Sequence, residues 1–393
     1  MARSFLVNAF WLAFVFLVIG TAVGVASLWP RGDEAEVPVG LVRPQTFRAE
    51  VLALEPAPCP APGQRGCRRA TVELREGPAR GERAQLTVTE PADRLRLQPG
   101  DEIRVSENTL PPDAQVGGVQ VERYALADFE RRRSLLWLAL AFGALVVALG
   151  RWKGARALVG LGASLGVVVG FVVPAILDGR SPAGVALAGS LAIMLITFVV
   201  THGFGAKMLA AALGTAAALC VTLGLGSLFI DLAHLTGLSS DEALYLRTAV
   251  GTLSIEGLLL AGMVIAALGV LDDLTVTQSS TVMALRKANP ALGFGALFRA
   301  AIDVGHDHIA ATVNTLVLAY AGASLPVLLV FSLGDTAFGD ALNSEAVAAE
   351  VVATLVGSIG LIAAVPLTTA LAAALATRLD PAALPDEHAG HAH

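Results

Sequence analysis

The chain has 393 residues, of which 55% are hydrophobic and 15% are charged, and its mean hydropathy is +0.67. Soluble domains carry about 25% charged residues, so the composition excludes an ordinary soluble protein. Several apolar runs exceed the roughly 18 residues that a bilayer crossing needs. The sequence therefore predicts a polytopic membrane protein. The net charge of −6 adds little, because the placement of lysine and arginine decides orientation.

The first apolar run covers residues 5–28 and is preceded only by Arg3. Its apolar core is long for a signal peptide, and no small-x-small cleavage pattern precedes Trp29. Residues 1–29 are therefore predicted to form a first transmembrane helix.

Residues 30–133 differ in character, because charges return and short alternating runs are separated by turn signals rich in proline and glycine. Several short strands at regular spacing indicate a small, external, β-barrel-like domain. The predicted strands are 46–54, 70–74, 84–88, 102–105 and 120–124. Cys59 and Cys67 lie in one of the loops and are predicted to form a disulfide, provided that the loop faces an oxidising compartment.

Seven further apolar runs make eight predicted spans in all, within a transmembrane core of residues 134–377. These runs are 135–149, 157–177, 184–200, 208–230, 253–276, 309–333 and 347–375. Lysine and arginine in the short loops favour cytoplasmic termini, an external β-domain and a polar cytoplasmic tail over residues 378–393. The basic residues 131–133 fall on the outer side and violate this rule locally.

Two adjacent carboxylates, Asp272 and Asp273, lie near the end of a long apolar run. A carboxylate at membrane depth costs about 2.5–3.5 kcal/mol on insertion scales, so such a pair indicates a function. One helical face carries three small residues and the second acid: Gly262, Ala266, Gly269 and Asp273. Small residues let a neighbouring helix approach closely. We therefore predict that Asp273 faces a helix bundle, with Asp272 to its side.

Two interpretations of the acidic pair remain open. In the first, two carboxylates in a low-dielectric bundle repel, so that one binds a proton near neutral pH and the pair relays protons or cations. In the second, the pair lies at the cytoplasmic headgroup level, where it caps the helix or pairs with Arg286. The helical rise puts Asp273 about 25 Å from Glu256, close to the core thickness of about 30 Å. The relay is favoured because acids inside membranes are usually functional.

Residues 302–315 lead into the seventh predicted span and carry a second polar motif. Thr312 and Thr315 share a hydroxyl face that could hydrogen-bond a carboxylate across a helix interface. Four further residues are of metal-ligand type: Asp303, His306, Asp307 and His308. Their spacing matches no recognised metal site. A cluster at a helix start is expected instead of a metal, because acids favour the first turn.

These two stretches carry a resemblance to the YibE/F family of bacterial membrane proteins. The first runs from Gly269 to Asp273 and is accompanied by Thr275 and Gln278, and the second covers residues 304–326. The resemblance implies a first helix, an external β-domain and a multi-helix core, and it implies an architecture more than an activity.

The acidic helix resembles the RND permease superfamily more weakly, including the Sec accessory permeases. Their fourth helix carries a Gly-x-x-x-Asp-Asp signature used in proton transfer, whereas this chain has one residue fewer between Gly269 and the pair. Both have an outer domain after the first helix. This chain departs from the superfamily in its span number, its single copy and the lack of a lysine partner inside the membrane.

The expected function is a secondary transporter or proton-coupled permease of the inner membrane, with no cofactor and no enzymatic activity. Asp272 and Asp273 are the predicted protonatable pair. The predicted supporting polar residues are Thr275, Gln278, Thr312, Asn314 and Thr315. The alternative is a non-transporting scaffold whose external domain binds an envelope partner.

A site lined by polar residues from several helices would favour transport, and an exposed apolar patch on the β-domain would favour the scaffold. The expected partner is the lipid bilayer. A second copy of the chain and an envelope protein stay open as partners, and nucleic acid is not expected.

Overall fold

The computed structural model describes residues 2–32, 45–59, 66–88, 97–108, 115–116, 119–120, 122–334 and 337–380. Most of the predicted polar tail, residues 381–393, therefore lies outside the described residues. The chain forms two compact units, one of Pro38–Val146 and the other of Met1–Val37 with Val147–His393. We call them the sheet unit and the helical unit.

The sheet unit contains a five-stranded antiparallel sheet and a two-stranded hairpin. Its strands are β1 (Thr46–Pro56), β2 (Arg68–Leu74), β3 (Arg83–Val88), β4 (Glu102–Glu107), β5 (Gln115–Val116), β6 (Val119–Gln120) and β7 (Tyr124–Phe129). The order in the sheet is β3-β2-β1-β4-β7, and β5 pairs with β6. Because side chains alternate between the faces of a strand, one face supplies the core: Ala49, Val51, Ala70, Val72, Leu86, Ile103 and Val105.

Four of the five predicted strands fall within strands of this sheet, and the fifth prediction is wrong. The predicted strand 120–124 covers the end of β6 and the first residue of β7. Tyr124 is 3% exposed and begins the inward-facing pattern of the last strand. The last strand of the sheet therefore starts at Tyr124, four residues later than predicted.

The sheet is curled into a half-barrel. Register shifts lie between Val51 and Ala53 in β1 and between Arg104 and Val105 in β4, and such irregularities increase strand twist. The edge strands β3 and β7 approach each other, and the Glu122 carboxylate bridges them. It accepts hydrogen bonds from the Thr87 backbone N–H at 2.5 Å and from the Thr87 hydroxyl at 2.6 Å. The Glu122 side chain, two residues before β7, thus links the two edge strands of the sheet.

Cys59 and Cys67 form a disulfide, with their Cα atoms 5.2 Å apart. The bridge ties the chain after β1 to the chain before β2, next to a backbone hydrogen bond of 3.0 Å from Ala57 to Cys67.

Replacing both cysteines by serine is expected to lower the free energy of unfolding of the sheet unit by about 2–3 kcal/mol, because the bridge closes a short loop of the unfolded chain. Residues 38–131 are expected to fold alone, since the unit has its own core. Denaturant unfolding of this segment, followed by circular dichroism, measures the difference. A variant with an unchanged midpoint would show that the bridge does not constrain the unfolded chain.

The sheet unit should also lose stability in acid through Glu76. Burial raises the pKa of Glu76, but hydrogen bonds from the Arg48 backbone N–H and from Arg104, at 2.9 Å, outweigh it and leave the pKa lowered. A carboxyl with a lowered folded-state pKa stabilises the fold above its unfolded pKa, and that contribution disappears as the pH falls through the folded value.

We therefore expect the melting temperature of residues 38–131 to fall below pH 4.5, the ordinary value for glutamate. Glu76→Gln should make this fall shallower, whereas Glu55→Gln, at an exposed position, should not. Equal slopes for all three proteins would contradict the assignment.

The long helices lie in the helical unit, except that the first part of α2, up to Val146, belongs to the sheet unit. These are α1 (Ala2–Leu28), α2 (Arg132–Val167), α3 (Val173–Leu177), α4 (Pro182–His202), α5 (Ala206–Leu232), α6 (Asp241–Ala249), α7 (Ile255–Ala288), α8 (Phe294–Ala323), α9 (Leu325–Leu333), α10 (Phe338–Asn343) and α11 (Glu345–Ala376). A π-helical turn, Val168–Val172, joins α2 to α3. Among the described residues, six helical stretches are long and apolar enough to cross a membrane, or seven if α8 and α9 count as one span.

The difference from the predicted eight arises around Arg151. The predicted runs 135–149 and 157–177 fall in one stretch, Arg132–Leu177, in which Arg151 adopts a non-helical backbone with φ 50° and ψ −134°. The intervening arginines and lysine are good helix formers. The helix therefore resumes directly after a kink, where the sequence suggested a loop.

The predicted span 309–333 is also divided differently. α8 begins at Phe294, well before the predicted start, and ends at Ala323. α9 follows at an angle of 56°. Proline is tolerated in the first helical turn but not inside a helix, and Pro326 occupies the first turn of α9, which accounts for the break.

The centre of the helical unit is formed by α5, α7 and α11. Two glycines allow α5 and α11 to approach closely. A Cβ atom at Gly214 of α5 would lie 2.1 Å from the Thr368 hydroxyl oxygen of α11, and one at Gly360 of α11 would lie 2.2 Å from that of Thr222. These glycines therefore allow the short distance between α5 and α11, as small residues do at helix interfaces.

Candidate functional site

α7 carries both acids in an unbroken helix of 34 residues, about 51 Å long at 1.5 Å per residue. Its N-cap is Ser254, whose hydroxyl accepts a hydrogen bond from the Gly257 N–H at 3.0 Å. The helix ends before Pro290, because a proline disfavours helical backbone in the residue preceding it. Asp272 lies about 26 Å from the helix start, with apolar sequence before it and polar sequence after it.

Asp272 lies between α7 and α4. The Thr197 hydroxyl of α4 is 3.4 Å from Asp272 Oδ2, and it also donates to the Met194 carbonyl at 3.0 Å. Since a threonine hydroxyl has one proton, the shorter bond competes with the carboxylate. Asp272 Oδ1 is buried and has no hydrogen-bond partner among the described residues. This carboxyl is thus held by one weak, shared donor.

Asp273 is exposed and lines a groove of about 680 Å³ between α7 and the turn that joins α4 to α5. His202 and Lys207 supply the basic side of the groove. Ser280 and Thr281 of α7 donate their hydroxyl protons to helix carbonyls at 2.7 and 3.0 Å. Their oxygens therefore remain available as acceptors, and the groove offers Asp273 a polar path along α7.

The prediction that the small face of α7 packs inside the bundle is wrong. Gly262, Ala266, Gly269 and Asp273 are all exposed in this chain, and a Cβ atom at Gly262 or Gly269 would meet nothing within 4 Å. Helices α4, α5 and α11 pack instead on the side of α7 with larger side chains, which includes Leu260, Val264 and Leu271. Burying these apolar side chains gains more than burying glycine and alanine.

Thr275 and Gln278, two of the predicted supporting residues, are buried at helix interfaces. The hydroxyl oxygens of Thr275 and Thr215 of α5 are 2.7 Å apart. The Gln278 amide donates to the Ala301 carbonyl of α8 at 2.7 Å and to Thr369 of α11 at 2.8 Å. These bonds join four helices around the acid-bearing half of α7.

A family model described as YibE/F-like protein matches residues 138–378. The chain belongs to the YibE/F-like family. The match begins within α2 and ends just after α11, and so it contains the acidic helix and the whole of α8. No curated protein and no solved structure matches the chain.

The predicted supporting residues of α8 lie apart from the acids in this YibE/F-like chain. The hydroxyls of Thr312 and Thr315 donate to carbonyls of their own helix, those of His308 and Ala311. Asn314 is exposed. In the described part of the chain, no hydrogen bond joins these side chains to Asp272 or Asp273, because α7 presents Gln278, not its acids, to α8.

The motif Asp303, His306, Asp307 and His308 lies in the middle of α8. The prediction that it starts a helix is wrong, because α8 begins nine residues before Asp303, at Phe294. Three of its four side chains are exposed. Within the described ranges no group of three or more histidine, cysteine or acidic side chains could hold a metal.

Arg286 does not form the predicted ion pair with Asp272 or Asp273. Arg286 is buried and donates to the carbonyls of Pro290 and Leu292, at 2.7 Å in the second case. It therefore closes the turn between α7 and α8.

Sequence reasoning did not assign Thr197, His202 or Lys207 to the site. All three lie at the end of α4 or the start of α5. Two polar residues in the last turns of α4, Thr197 and Thr201, lie four apart and thus on one face. That spacing is the signal that could have pointed to this helix.

Proposed function

We propose that this YibE/F-like chain is a multi-pass protein of a bacterial cytoplasmic membrane, with cytoplasmic termini and an external β-sheet domain that ends before α2. Its long apolar helices leave large side chains exposed, among them Phe16 at 70% and Leu138 at 68%. Lipid would cover these surfaces, because soluble proteins rarely expose large apolar patches to water. Counting the parts of the stretch Arg132–Leu177 before and after Arg151 as separate spans gives the eight spans that we propose.

Within that membrane, we propose a secondary transporter or proton-coupled permease in which Asp272 and Asp273 exchange a proton or cation. Asp272 carries the proposal, because its Oδ1 atom is buried without a hydrogen-bond partner among the described residues. An ionised carboxylate in such a place is costly, so this group suits uptake and release of a cation. Asp273 faces the polar groove and connects the buried acid to the predicted cytoplasmic side.

The site also meets the criterion set for transport, since its polar groups come from α4, α5 and α7. The scaffold interpretation asks for an apolar patch on the external domain. Among the described residues of 45–131, which precede α2, no large apolar side chain is exposed. We therefore favour transport over a scaffold, and we propose no enzymatic role.

Purified protein in liposomes tests this proposal. With a pH gradient imposed and the membrane potential clamped, internal pH should change faster than in protein-free liposomes. Infrared titration of the carboxyl bands provides a readout that needs no transported substrate. It should show one carboxyl band whose pH dependence differs from that of carboxyls exposed to water. Ordinary carboxyl titration together with flux equal to that of empty liposomes would contradict the proposal.

A further inference from the structure

An apolar groove runs along the outside of the helical unit between α1 and α4. Its two adjoining parts have volumes of about 490 and 770 Å³ and share Val18, Leu195 and Ile196. One part reaches Phe204 after the end of α4, and the other reaches Trp29 after the end of α1. We call this surface the α1–α4 groove.

The length of the groove suits an extended hydrocarbon chain. From Phe14 to Leu28, α1 rises about 21 Å along it at 1.5 Å per residue. One leaflet of the bilayer core is about 15 Å thick. A chain that enters at the Phe204 end would therefore be accommodated through a full leaflet, against side chains that are apolar except for Thr21.

Basic side chains lie at the Phe204 end. The Arg156 guanidinium of α2 donates from Nε to the carbonyl of Val200, and Val200 itself lines the groove. The two Nη groups of Arg156 make no hydrogen bond to any residue that the structure describes. Lys153 lies three residues before Arg156 on α2 and so on the same helical face, and Lys207 lies in the first turn of α5. A cationic cluster therefore adjoins one end of the groove.

Exposed aromatic side chains mark the same end. Phe204 is 71% exposed, and Trp152, which lies one helical turn before Arg156, is 76% exposed. Aromatic rings and basic residues together are typical of a membrane–water interface. The end near Phe204 thus has the features of headgroup depth.

We propose that the α1–α4 groove binds an anionic phospholipid, with an acyl chain in the groove and the phosphate against Arg156 and Lys153. Guanidinium groups bind phosphate oxygens through two parallel hydrogen bonds. Charge selects this occupant over a second copy of the chain, because an apolar helix in the groove would bring no negative charge to Arg156 and Lys153. The inference rests on the proposed membrane location, and it does not depend on transport.

Native mass spectrometry of the detergent-purified full chain tests the site with two probes that share their acyl chains, dioleoyl phosphatidylglycerol and dioleoyl phosphatidylcholine. Wild type should bind phosphatidylglycerol more tightly. Arg156→Gln keeps a donor for the Val200 carbonyl and removes the charge, and it should weaken phosphatidylglycerol binding about fivefold, the effect of one basic residue near a lipid surface. Adding Lys153→Gln should weaken it by a similar factor again. Arg247→Gln, at an exposed position of α6, should change nothing.

A second pair of variants tests the groove itself. Ile196→Trp places a large ring where the two parts of the groove meet and should weaken binding of both lipids. Leu355→Trp, at an exposed position of α11, should weaken neither. Equal affinity of wild type for the two lipids, or unchanged binding by Ile196→Trp, would overturn the proposal, as would a dimer that Ile196→Trp dissociates. Asp272→Asn should bind lipid normally, so a failure of transport and a failure of this site are distinguishable.

Discussion

Asp272→Asn is expected to reduce proton-coupled flux in liposomes at least a hundredfold, the lower range for loss of a positioned proton-transfer group. Asparagine keeps the shape of the side chain and its contact with Thr197, but it cannot bind and release a proton. Asp272 Oδ1 has no hydrogen-bond partner among the described residues. Replacing this oxygen by the amide NH2 group therefore breaks no hydrogen bond of the wild-type protein. The variant should therefore fold and melt like wild type.

Two controls separate the buried acid from its neighbour. Asp273→Asn changes an exposed group that lines the groove, so it should slow flux less than Asp272→Asn does. Thr197→Val removes the 3.4 Å contact while retaining the carboxyl, and it should shift the pH dependence of flux without abolishing it. Full activity of Asp272→Asn together with an inactive Asp273→Asn would move the relay to the exposed acid and refute this assignment.

Gly214→Ala is expected to lower the melting temperature of the detergent-purified protein by about 2–12 °C. The new Cβ would lie 2.1 Å from the Thr368 hydroxyl oxygen and 3.2 Å from the Thr368 Cα, so both a side chain and a backbone must move. Overpacking of this kind costs about 1–3 kcal/mol, and each kcal/mol shifts the melting temperature of a domain this large by roughly 2–4 °C.

The matched control is Gly269→Ala on α7, where a Cβ atom would meet nothing within 4 Å. Alanine there should leave the melting temperature unchanged or raise it, because it favours helix over glycine. Thr368→Ala should restore part of the stability lost in Gly214→Ala, since it removes the 2.1 Å contact and leaves the Thr368 Cβ at 2.9 Å. Equal melting of the two glycine variants would show that α5 and α11 are not in close contact.

The sequence predicted the local features well, because they depend on local chemistry. The alternating residues of β1 to β4 and the apolar length of α4, α5, α7 and α11 are properties of short segments, and the family resemblance came from two such segments. Arg151 shows the limit of this reasoning, since a kink between helix formers leaves no loop signal.

The surroundings of the acids could not be predicted in the same way. Thr197 and Asp272 are 75 residues apart in the chain, and only the packing of α4 on α7 brings them together. The small face of α7 was ambiguous in principle, because glycine and alanine suit both a close helix contact and an exposed surface. In the structure the close helix contact is made by α5 and α11, through Gly214 and Gly360, and not by the small face of α7.

Gln278 gives α7 a mechanical property. Its amide holds the helix to α8 and α11, six residues after Asp272 and ten before the helix end at Ala288. At 1.5 Å per residue these two arms measure about 9 and 15 Å. Because α7 is unbroken, a rigid tilt about Gln278 would move its two arms in opposite directions. A tilt that moves Asp272 by about 1 Å swings Ala288 by about 1.7 Å the opposite way, so a small shift at the acid becomes a larger one at the turn into α8.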